Sequence, residues 1–474
     1  MGESLREKGY TKPMLLVHNT GGSKKVSRTK AVNTHNASPV AGLCGALYMS
    51  KLYDLPNVVY TDIGGTSFDI GLIAGGTLPF YDLFPVIDRW RTQLRTIETT
   101  SIGAGGGSIA WLNPLLGNRL EVGPMSAGAM PGPACYDLGG DEATVTDADL
   151  VLGYIDPDYY LGGRLKLNKA KALKAIKVIA DKLGINEVGA AAMIKQVANA
   201  KMGQEIFKRV ALGGYDPKEF TLFACGGAGP THCCGFAPPA GLTKILTSPF
   251  SPVFGAFGGS TLDIRHVYDK SRHIKIFDFA TQKCFSEFEM FNSVVRELRD
   301  SAIDDLGLEG FSEEQIVFTL ELEMRYGTQY TYTRIQSPIS FINSEEDVRR
   351  LSDTFTETYS AIYGPESTFP QGGIDVETFM LTAQVPVVHL PIEEYELVSA
   401  APVREALKEE REAYWDELGG LGKTSIYSLG GLKAGNFIDG PAIIEAENTS
   451  YVIAPGWKYT MDSHLNAIIE LKNK

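Results

Sequence analysis

Apolar and polar positions between residues 57 and 76 predict a β-hairpin. An apolar run, NVVY, is followed by a polar Gly-Gly turn and a second run, FDIGLI, and the segment closes at Gly75 and Gly76. Short apolar runs bounded by glycine are typical of buried strands joined by a turn. Asp62 and Asp69 stand at the two ends of this turn, so the hairpin carries an acidic residue on each side of its tip.

Helical spacing follows further along the chain. Apolar residues recur on one face between residues 173 and 183, and a second such segment runs from 188 to 212 and stops at Gly213 and Gly214. This spacing predicts two amphipathic helices. The next stretch, FTLFACGGAGPTHCCGFA, predicts a buried strand, a glycine turn and the start of a helix.

The second half of the chain has a different pattern. Period-two alternation covers 316–334, 376–390 and 441–454, and helical spacing covers 281–305 and 345–362. We therefore predict an α/β protein of two domains, residues 1–267 and a mixed, β-rich domain at 268–474. Arg325 falls on a predicted interior strand of the second domain, and we expect it to form an ion pair.

The composition excludes several classes of function. The chain has 474 residues, 44% hydrophobic and 21% charged, with a net charge of −13. These values are ordinary for a folded protein and oppose a nucleic-acid groove. The longest apolar runs near the start fall far short of the roughly 20 residues that cross a bilayer. We expect a cytoplasmic protein that acts on a small molecule, with no nucleic-acid partner and no membrane segment.

Glycine is unevenly distributed. Of 51 glycines, 37 lie in residues 1–270 and 14 in residues 271–474. A surplus confined to one part of a chain that also carries long apolar segments is typical of main-chain turns that approach a ligand closely. The ligand chemistry is therefore expected in the first 270 residues.

The segment Asp62-Ile-Gly-Gly-Thr-Ser-Phe-Asp69 is the sharpest candidate for chemistry. Glycines between two strands let main-chain N–H groups turn towards a phosphate, and a neighbouring carboxylate can hold a magnesium ion. We predict that Asp62 is catalytic and binds the metal. The predicted phosphate-binding residues are Gly64, Gly65, Thr66, Ser67 and Asp69. The alternative is an ordinary hairpin with a Gly-Gly turn.

A second turn lies between a predicted buried strand and a predicted helix. Its sequence is CGGAGPTH, and the predicted nucleotide contacts are Gly226, Gly227, Ala228, Gly229 and His232. N–H groups at the start of a helix favour an anion or the ribose end of a nucleotide. The alternative is a close packing turn in which His232 is a satisfied structural residue.

Glycine is dense again in SIGAGGGS, residues 101–108. We predict that Gly105, Gly106 and Gly107 form a main-chain cradle near a transferred phosphoryl group. The alternative for this segment is a flexible loop.

The order strand–Gly-Gly-Thr–strand and then, about 160 residues later, strand–Gly-Gly-Ala-Gly–helix resembles the nucleotide fold of acetate kinase, sugar kinases, heat-shock proteins and actin. A longer set of ordered motifs resembles the ATP-binding subunit of the hydantoinase A and oxoprolinase family. These motifs are DIGGTSFD, SIGAGGGSIAW, VGPMSAGAMPGPACYDLGG, TVTDADLVLG, GGYDPKEFTLFACGGAGPTH, LEMRYGTQY and GPAIIEAENTSYVIAPGW. The resemblance covers nearly the whole chain and implies an actin-like ATPase lobe followed by a mixed, β-rich domain.

The resemblance also implies ATP and Mg²⁺, or Mn²⁺, as cofactors. It implies that Asp147, in TVTDADLVLG, faces the phosphates as a second catalytic residue, whereas the residues alone also allow a helix N-cap without chemistry. The segment from Asn36 to Gly42 and Phe68 resemble the acetone and acetophenone carboxylase branch of the family.

Three hypotheses of function follow from the resemblance. The first is the nucleotide-handling subunit of a ketone carboxylase-like complex. The second is a subunit of an ATP-dependent hydantoinase, 5-oxoprolinase or lactamase that opens a cyclic amide, and the third is a non-catalytic scaffold. The family usually carries a further N-terminal lobe, and we expect another subunit to supply it, alongside a hydantoinase B-type partner.

Overall fold

The computed structural model describes residues 2–11, 14–81, 85–87, 89–92, 94–281, 283–327, 329–389 and 391–472. The chain forms two compact units, each built from two separate segments. The first unit comprises Met1–His35 and Leu262–Val388, and the second comprises Asn36–Thr261 and His389–Lys474.

Helices and strands alternate along most of the chain. The helices are α1 Gly2–Glu7, α2 Ala37–Leu52, α3 Val145–Val151, α4 Lys169–Leu183, α5 Glu187–Leu212, α6 Gly229–Phe236, α7 Phe254–Ser260, α8 Phe288–Glu309 and α9 Glu345–Tyr363. The strands are β1 Leu15–Val17, β2 Ser23–Lys25, β3 Val58–Ile63, β4 Phe68–Ile73, β5 Val86–Ile87, β6 Trp90–Arg91, β7 Thr99–Ile102, β8 Ser108–Asn113, β9 Arg119–Ser126, β10 Thr221–Cys225, β11 Lys244–Thr247, β12 Ile264–Asp278, β13 Lys283–Cys284, β14 Val317–Tyr326, β15 Thr333–Gln336, β16 Ile374–Val385, β17 Leu407–Trp415, β18 Gly420–Ser428, β19 Phe437–Asp439, β20 Ala442–Glu445, β21 Ser450–Ile453, β22 Trp457–Met461 and β23 Ala467–Leu471. Among the described helices, none combines the length and the apolar character that a membrane span requires.

A mixed sheet packed against two long helices forms the first unit. Its strands lie in the order β1-β2-β12-β16-β14-β15, and β13 pairs with β12. Along β14, every second residue from Leu320 to Tyr326 is buried, as expected of a strand with one face on a core. These side chains pack with Phe291 of α8 and Phe355 of α9, which confirms the predicted mixture of alternating strands and helices.

A larger sheet with a hydrophobic core on each face forms most of the second unit. Its strand order is β19-β22-β23-β11-β10-β3-β4-β7, and β3, β10 and β11 are parallel. Along β3, Val59 and Ile63 belong to one core, whereas Val58 and Tyr60 belong to another. Strands buried on both faces are typical of the parallel sheets of α/β proteins. A smaller sheet, β17-β18-β20-β21, completes the unit together with the hairpins β5-β6 and β8-β9.

The predicted hairpin and helices of the second unit are confirmed. Strands β3 and β4 pair so that Asp62 lies opposite Asp69. Helix α5 begins after Asn186, whose side chain accepts a hydrogen bond from the N–H of Gly189. Helix α4 ends at Gly184, which has a φ of +69°, the left-handed conformation that glycine adopts at helix ends.

The last strands of the chain complete the sheet of the second unit. β23 pairs antiparallel with β11, and β22 pairs with β23. Strand pairing of this kind joins segments that are far apart in sequence, because the unpaired N–H and C=O groups of an edge strand can form hydrogen bonds with a distant strand. The compact units therefore group residues 389–474 with residues 36–261, and the boundary between residues 267 and 268 stays a prediction.

Candidate functional site

The second unit contains a partly open cavity of about 450 Å³ at which the three predicted glycine turns meet. We call the backbone part of its lining the glycine wall. The glycine wall consists of Gly64, Gly65, Gly106, Gly107, Gly227 and Ala228. A second part, the tyrosine wall, consists of Tyr136, Tyr159 and Tyr160. The sequence predicted the glycine wall, and it did not single out the tyrosines.

The β3–β4 turn contributes open backbone to the glycine wall. The N–H of Gly64 donates to the carbonyl oxygen of Ser67 at 3.1 Å and closes the turn. A Cβ added to Gly64 or Gly65 would meet nothing within 4 Å. Glycine at these two positions therefore leaves space in the cavity and is not required by packing. Thr66 follows in the same turn, and its hydroxyl accepts a hydrogen bond from Ser126 at 3.3 Å.

The loop of residues 105–107 packs its main chain directly on that turn. The N–H of Gly106 donates to Gly64 O at 3.0 Å, and the N–H of Gly107 donates to Gly65 O at 2.6 Å. A Cβ on Gly105 would lie 2.7 Å from Gly64 O and from the nitrogen of Thr66. These glycines thus allow two backbones to touch. The N–H groups of Gly106 and Gly107 are engaged within the protein, which limits what the predicted cradle can offer a phosphate.

The turn after β10 approaches the β3–β4 turn just as closely. Gly226 has a φ of +84°, and a Cβ there would lie 2.6 Å from Asp62 Oδ1 and closer still to the main chain of Ile63. The N–H of Ala228 donates to Ile63 O at 3.1 Å. By contrast, a Cβ on Gly227 would meet only Asn448 O, at 3.8 Å. Gly229 begins α6, and like Gly227 it has room for a Cβ.

Two carboxylates lie side by side at the β3–β4 hairpin. Asp62 Oδ2 accepts a hydrogen bond from the hydroxyl of Tyr60 at 3.1 Å. Burial raises the pKa of Asp62 to about 6, and the charge of Asp69 contributes, while the Tyr60 hydrogen bond opposes the shift. Burial also raises the pKa of Asp69, against hydrogen bonds from Ser101 and Ser67. Asp62 lies beside Gly226 and is not among the residues that line the cavity.

Asp147 holds a loop in place. It is fully buried, and its carboxylate accepts hydrogen bonds from the N–H groups of Ala134, Cys135 and Thr144 at 3.2, 2.7 and 3.0 Å. The hydroxyl of Thr144 donates to it at 2.7 Å. Thr144 is the N-cap of α3, and Asp147 completes its capping box. The N-cap is therefore Thr144 and not Asp147, which is the third residue of the helix. The contacts of Asp147 are those of a structural carboxylate.

Asp149, two residues later, lines the cavity and forms a buried pair with His232. His232 Nε2 lies 3.0 Å from Asp149 Oδ2, and His232 Nδ1 lies 3.1 Å from Asn199 Oδ1. His232 is not among the residues that line the cavity, and its ring contacts Asp149, which does line it. The nucleotide contact of His232 stays a prediction. The sequence analysis did not single out Asp149; its spacing of three residues from Thr146, which also lines the cavity, is the signal that could have found it.

Charged residues support the tyrosine wall. The hydroxyls of Tyr136 and Tyr160 lie 2.9 Å apart, and Lys408 Nζ lies 4.2 Å from the ring centre of Tyr159. Lys408 also pairs with Glu445, a buried residue of the cavity lining. Arg411 donates to the same carboxylate at 2.7 Å. This part of the lining is aromatic and held by matched charges, a setting in which a flat ring can stack.

Comparison with known proteins identifies the family. The hydantoinase/oxoprolinase family model matches residues 1–268, and the model of the hydantoinase/oxoprolinase C-terminal domain matches residues 278–474. This chain belongs to the hydantoinase/oxoprolinase family. The resemblance stated from the sequence motifs is therefore confirmed.

Individual members of the hydantoinase/oxoprolinase family match nearly the whole chain. The acetophenone carboxylase gamma subunit of Aromatoleum aromaticum is 44% identical over 99% of this chain and 64% of its own length. The nucleotide-free structure of acetone carboxylase, an enzyme of ATP-dependent acetone carboxylation, matches with a TM-score of 0.86 and 28% identity. This match covers 99% of this chain and 66% of the acetone carboxylase chain. The ATP-dependent caprolactamase of Pseudomonas jessenii has a TM-score of 0.83 and 29% identity, with coverages of 100% and 67%.

These matches confirm the α/β fold and the likeness to the acetone and acetophenone carboxylase branch of the hydantoinase/oxoprolinase family. The chain spans about 64% of the length of the acetophenone carboxylase subunit that it matches. That relative and the caprolactamase relative are both named as subunits of larger enzymes.

Proposed function

We propose that this chain is the nucleotide-handling subunit of an ATP-dependent ketone carboxylase-like complex. The observation that carries the proposal is the convergence of three glycine turns on one cavity that also has a wall of tyrosines. Similarity to the acetophenone carboxylase gamma subunit, at 44% identity, supports the choice of reaction.

The cavity suits a nucleoside triphosphate in size and chemistry. Its volume of about 450 Å³ lies within the range of roughly 300 to 1,000 Å³ typical of small-molecule sites. Backbone turns without side chains let phosphate groups approach the main chain, and tyrosine rings offer a surface for a purine. We therefore assign the phosphates to the glycine wall and the base to the tyrosine wall.

Asp62 and Asp69 fit a divalent cation. They are two carboxylates opposite each other in the hairpin, and their hydrogen-bond partners are hydroxyl groups of Tyr60, Ser67 and Ser101. Oxygen donors of this kind are the ligands that Mg²⁺ prefers, and Mn²⁺ accepts them as well. When bound, the ion would neutralise charge on the phosphates. In this proposal Asp62 is the metal-holding catalytic residue, and Asp147 shapes the loop beside the site.

The protein's part in the reaction is positioning and charge stabilisation. The γ-phosphoryl group moves to an oxygen of an enolate or of bicarbonate, and the bond from phosphorus to the bridging oxygen of the nucleotide breaks. Such transfers ask for little covalent chemistry from side chains. The complex would include a hydantoinase B-type subunit.

Opening of a cyclic amide is the second candidate function. The similarity to ATP-dependent caprolactamase, with a TM-score of 0.83 over the whole chain, favours it. The same cavity would then serve to phosphorylate the amide oxygen, after which the partner subunit would complete hydrolysis.

Substrate-dependent ATP consumption separates these functions. The chain should be purified with the products of its neighbouring genes and tested with ketones plus bicarbonate and, separately, with hydantoins, 5-oxoproline and lactams. ATP consumption that requires both a ketone and bicarbonate supports the carboxylase. Consumption with a cyclic amide alone supports the hydrolase, and a complex that binds no nucleotide would reduce this chain to a scaffold.

A further inference from the structure

One oxygen of the Asp149 carboxylate has no hydrogen-bond partner among the described residues. Asp149 is 3% exposed and lines the cavity. Its Oδ2 atom is held by His232 at 3.0 Å, whereas its Oδ1 atom is shielded from solvent and has no hydrogen-bond partner within the described part of the chain. An unpaired, buried carboxylate oxygen is costly, so this atom points to a donor that arrives with a ligand.

The position of Asp149 restricts which part of a nucleotide can reach it. One helical turn earlier, the hydroxyl of Thr146 donates to Gly106 O at 2.9 Å, within the glycine wall. Shortly after Asp149, the chain leads to Tyr159 and Tyr160 of the tyrosine wall. His232, the partner of Asp149, follows the Gly226–Gly229 turn. Burial raises the pKa of Tyr160, and the negative charge of Asp149 contributes to the shift. Asp149 therefore lies near both the wall assigned to phosphates and the wall assigned to the base.

The chemistry of a carboxylate narrows the choice further. Ionised phosphate oxygens accept hydrogen bonds and repel a carboxylate, so they cannot satisfy Asp149. The ribose of a nucleotide lies between its phosphates and its base, and its hydroxyl groups are donors. Acidic side chains bind ribose hydroxyls in the same way in dinucleotide-binding folds.

We propose that Asp149 accepts a hydrogen bond from a ribose hydroxyl of the bound nucleotide and that His232 is the positioning residue that fixes this carboxylate. The inference rests on the proposed nucleotide function and adds a residue that selects ribose. Asn199 lies 3.1 Å from the other ring nitrogen of His232, so the imidazole is held on both sides and Asp149 has one defined orientation.

Ribose discrimination is the test. The affinities of ATP, 2′-deoxy-ATP and 3′-deoxy-ATP should be measured by calorimetry on the full chain, purified with its co-expressed partners. We expect one deoxy analogue to bind about 10- to 100-fold more weakly than ATP, because a hydrogen bond to a charged acceptor is lost. In Asp149→Ala, the affinity for ATP should fall by a similar factor, and the difference in affinity between ATP and that analogue should disappear. His232→Gln should reduce the same difference.

A matched control is Asp156→Ala, which removes another carboxylate from the same cavity lining. Any change it causes should apply equally to ATP and to both analogues. Equal binding of all three nucleotides by the wild-type protein, or a penalty that persists in Asp149→Ala, would overturn the assignment of Asp149 and leave the nucleotide site intact. A wild-type complex that binds no ATP would instead overturn the proposed function, and this inference with it.

Discussion

In the first unit, Arg325 of β14 lies 2.6 Å from Glu377 and 3.9 Å from Asp375 of the neighbouring strand β16. His273 lies 2.9 Å from the same Glu377. In the second unit, Asp62 and Asp69 lie opposite each other in the hairpin. Within the described residues, the side chains that donate hydrogen bonds to these two carboxylates are hydroxyl groups. The first unit pairs its carboxylates with cationic side chains, whereas the second unit places the carboxylates of Asp62 and Asp69 next to each other.

On this basis we interpret the first cluster as structural and the second as the functional cluster of the proposal above. The ligand atoms of His273, Asp375 and Glu377 lie within 4.8 Å of one another. Within the described residues, these three side chains form the cluster of three or more ligands whose geometry could hold a metal ion. Arg325 already supplies the positive charge there, as the sequence predicted for it. Among the described residues no cation contributes to the pKa shifts of Asp62 and Asp69, and the proposed divalent cation would offset their repulsion. Charge balance, and not ligand type alone, thus favours the hairpin as the cation site.

Close contacts between main-chain segments occur in the second unit at Gly105 and Gly226. The largest effect is therefore expected at Gly226, where φ is +84° and a Cβ would collide with Ile63. We expect Gly226→Ala to lower the free energy of unfolding by about 3 kcal/mol or more, from strain and overpacking together.

Denaturant titration of this variant should be compared with Gly227→Ala. Gly227 lies next in the chain, and its Cβ would meet only an ordinary contact, so we expect a change in stability within about 0.5 kcal/mol. Nucleotide affinity should nevertheless fall in Gly227→Ala, because the added carbon enters the cavity. Equal stability of the two variants would show that the close approach at Gly226 is unimportant.

The second prediction removes one of the unmatched carboxylates. Asp62→Asn should lower ATP turnover of the complex about 100-fold or more, roughly 3 kcal/mol of barrier, through loss of a metal-holding group. The fold should gain stability, since the pKa of Asp62 is raised to about 6 in the folded protein. A carboxyl whose folded pKa lies above its unfolded value destabilises the fold once it is ionised. The gain of Asp62→Asn over wild type should therefore grow as the pH rises from about 4 to 6 and stay constant above it.

Steady-state ATP consumption and thermal unfolding across this pH range test both halves of the prediction. Wild-type turnover in the variant would remove Asp62 from the metal site. If the difference in stability between the variant and wild type did not change with pH, burial would not raise the pKa of Asp62 in the folded protein.

The third prediction concerns a carboxylate that the second unit does satisfy. Asp147→Asn replaces an acceptor that receives hydrogen bonds from the Ala134, Cys135 and Thr144 N–H groups, and we expect a loss of about 2 kcal/mol in stability. Turnover per folded molecule should stay near that of wild type, because these contacts are structural. A variant with wild-type stability and greatly reduced turnover would instead support the catalytic role that the family resemblance implied.

Local features of the fold were predictable from the sequence, and features assembled over long distances were not. The hairpin at residues 57–76 and helix α5 follow from nearby residues alone. Asp149 and His232 are 83 residues apart in sequence, and no local pattern joins them. The sequence does not distinguish Gly64, which leaves open space, from Gly226, which allows close main-chain contact. The path of the folded chain determines which of these roles a glycine has.

The smallest effect is expected in the first unit, at the centre of its matched cluster. Arg325→Met keeps most of the aliphatic stem and removes the cation beside Glu377 and Asp375. The Arg325 side chain is 22% exposed, and that of Asp375 is 9% exposed, so water compensates only in part and we expect a loss of about 1 to 2 kcal/mol. The control Arg349→Met breaks a pair with Glu345 in which both side chains are more than two-thirds exposed, and it should change stability by no more than about 0.5 kcal/mol. Nucleotide affinity should be unchanged in both variants, because the cation balances charge within the first unit only. If Arg325→Met abolished ATP binding while the protein stayed folded, the first unit would also contribute to the site, and the distinction between a structural cluster and a functional one would fail.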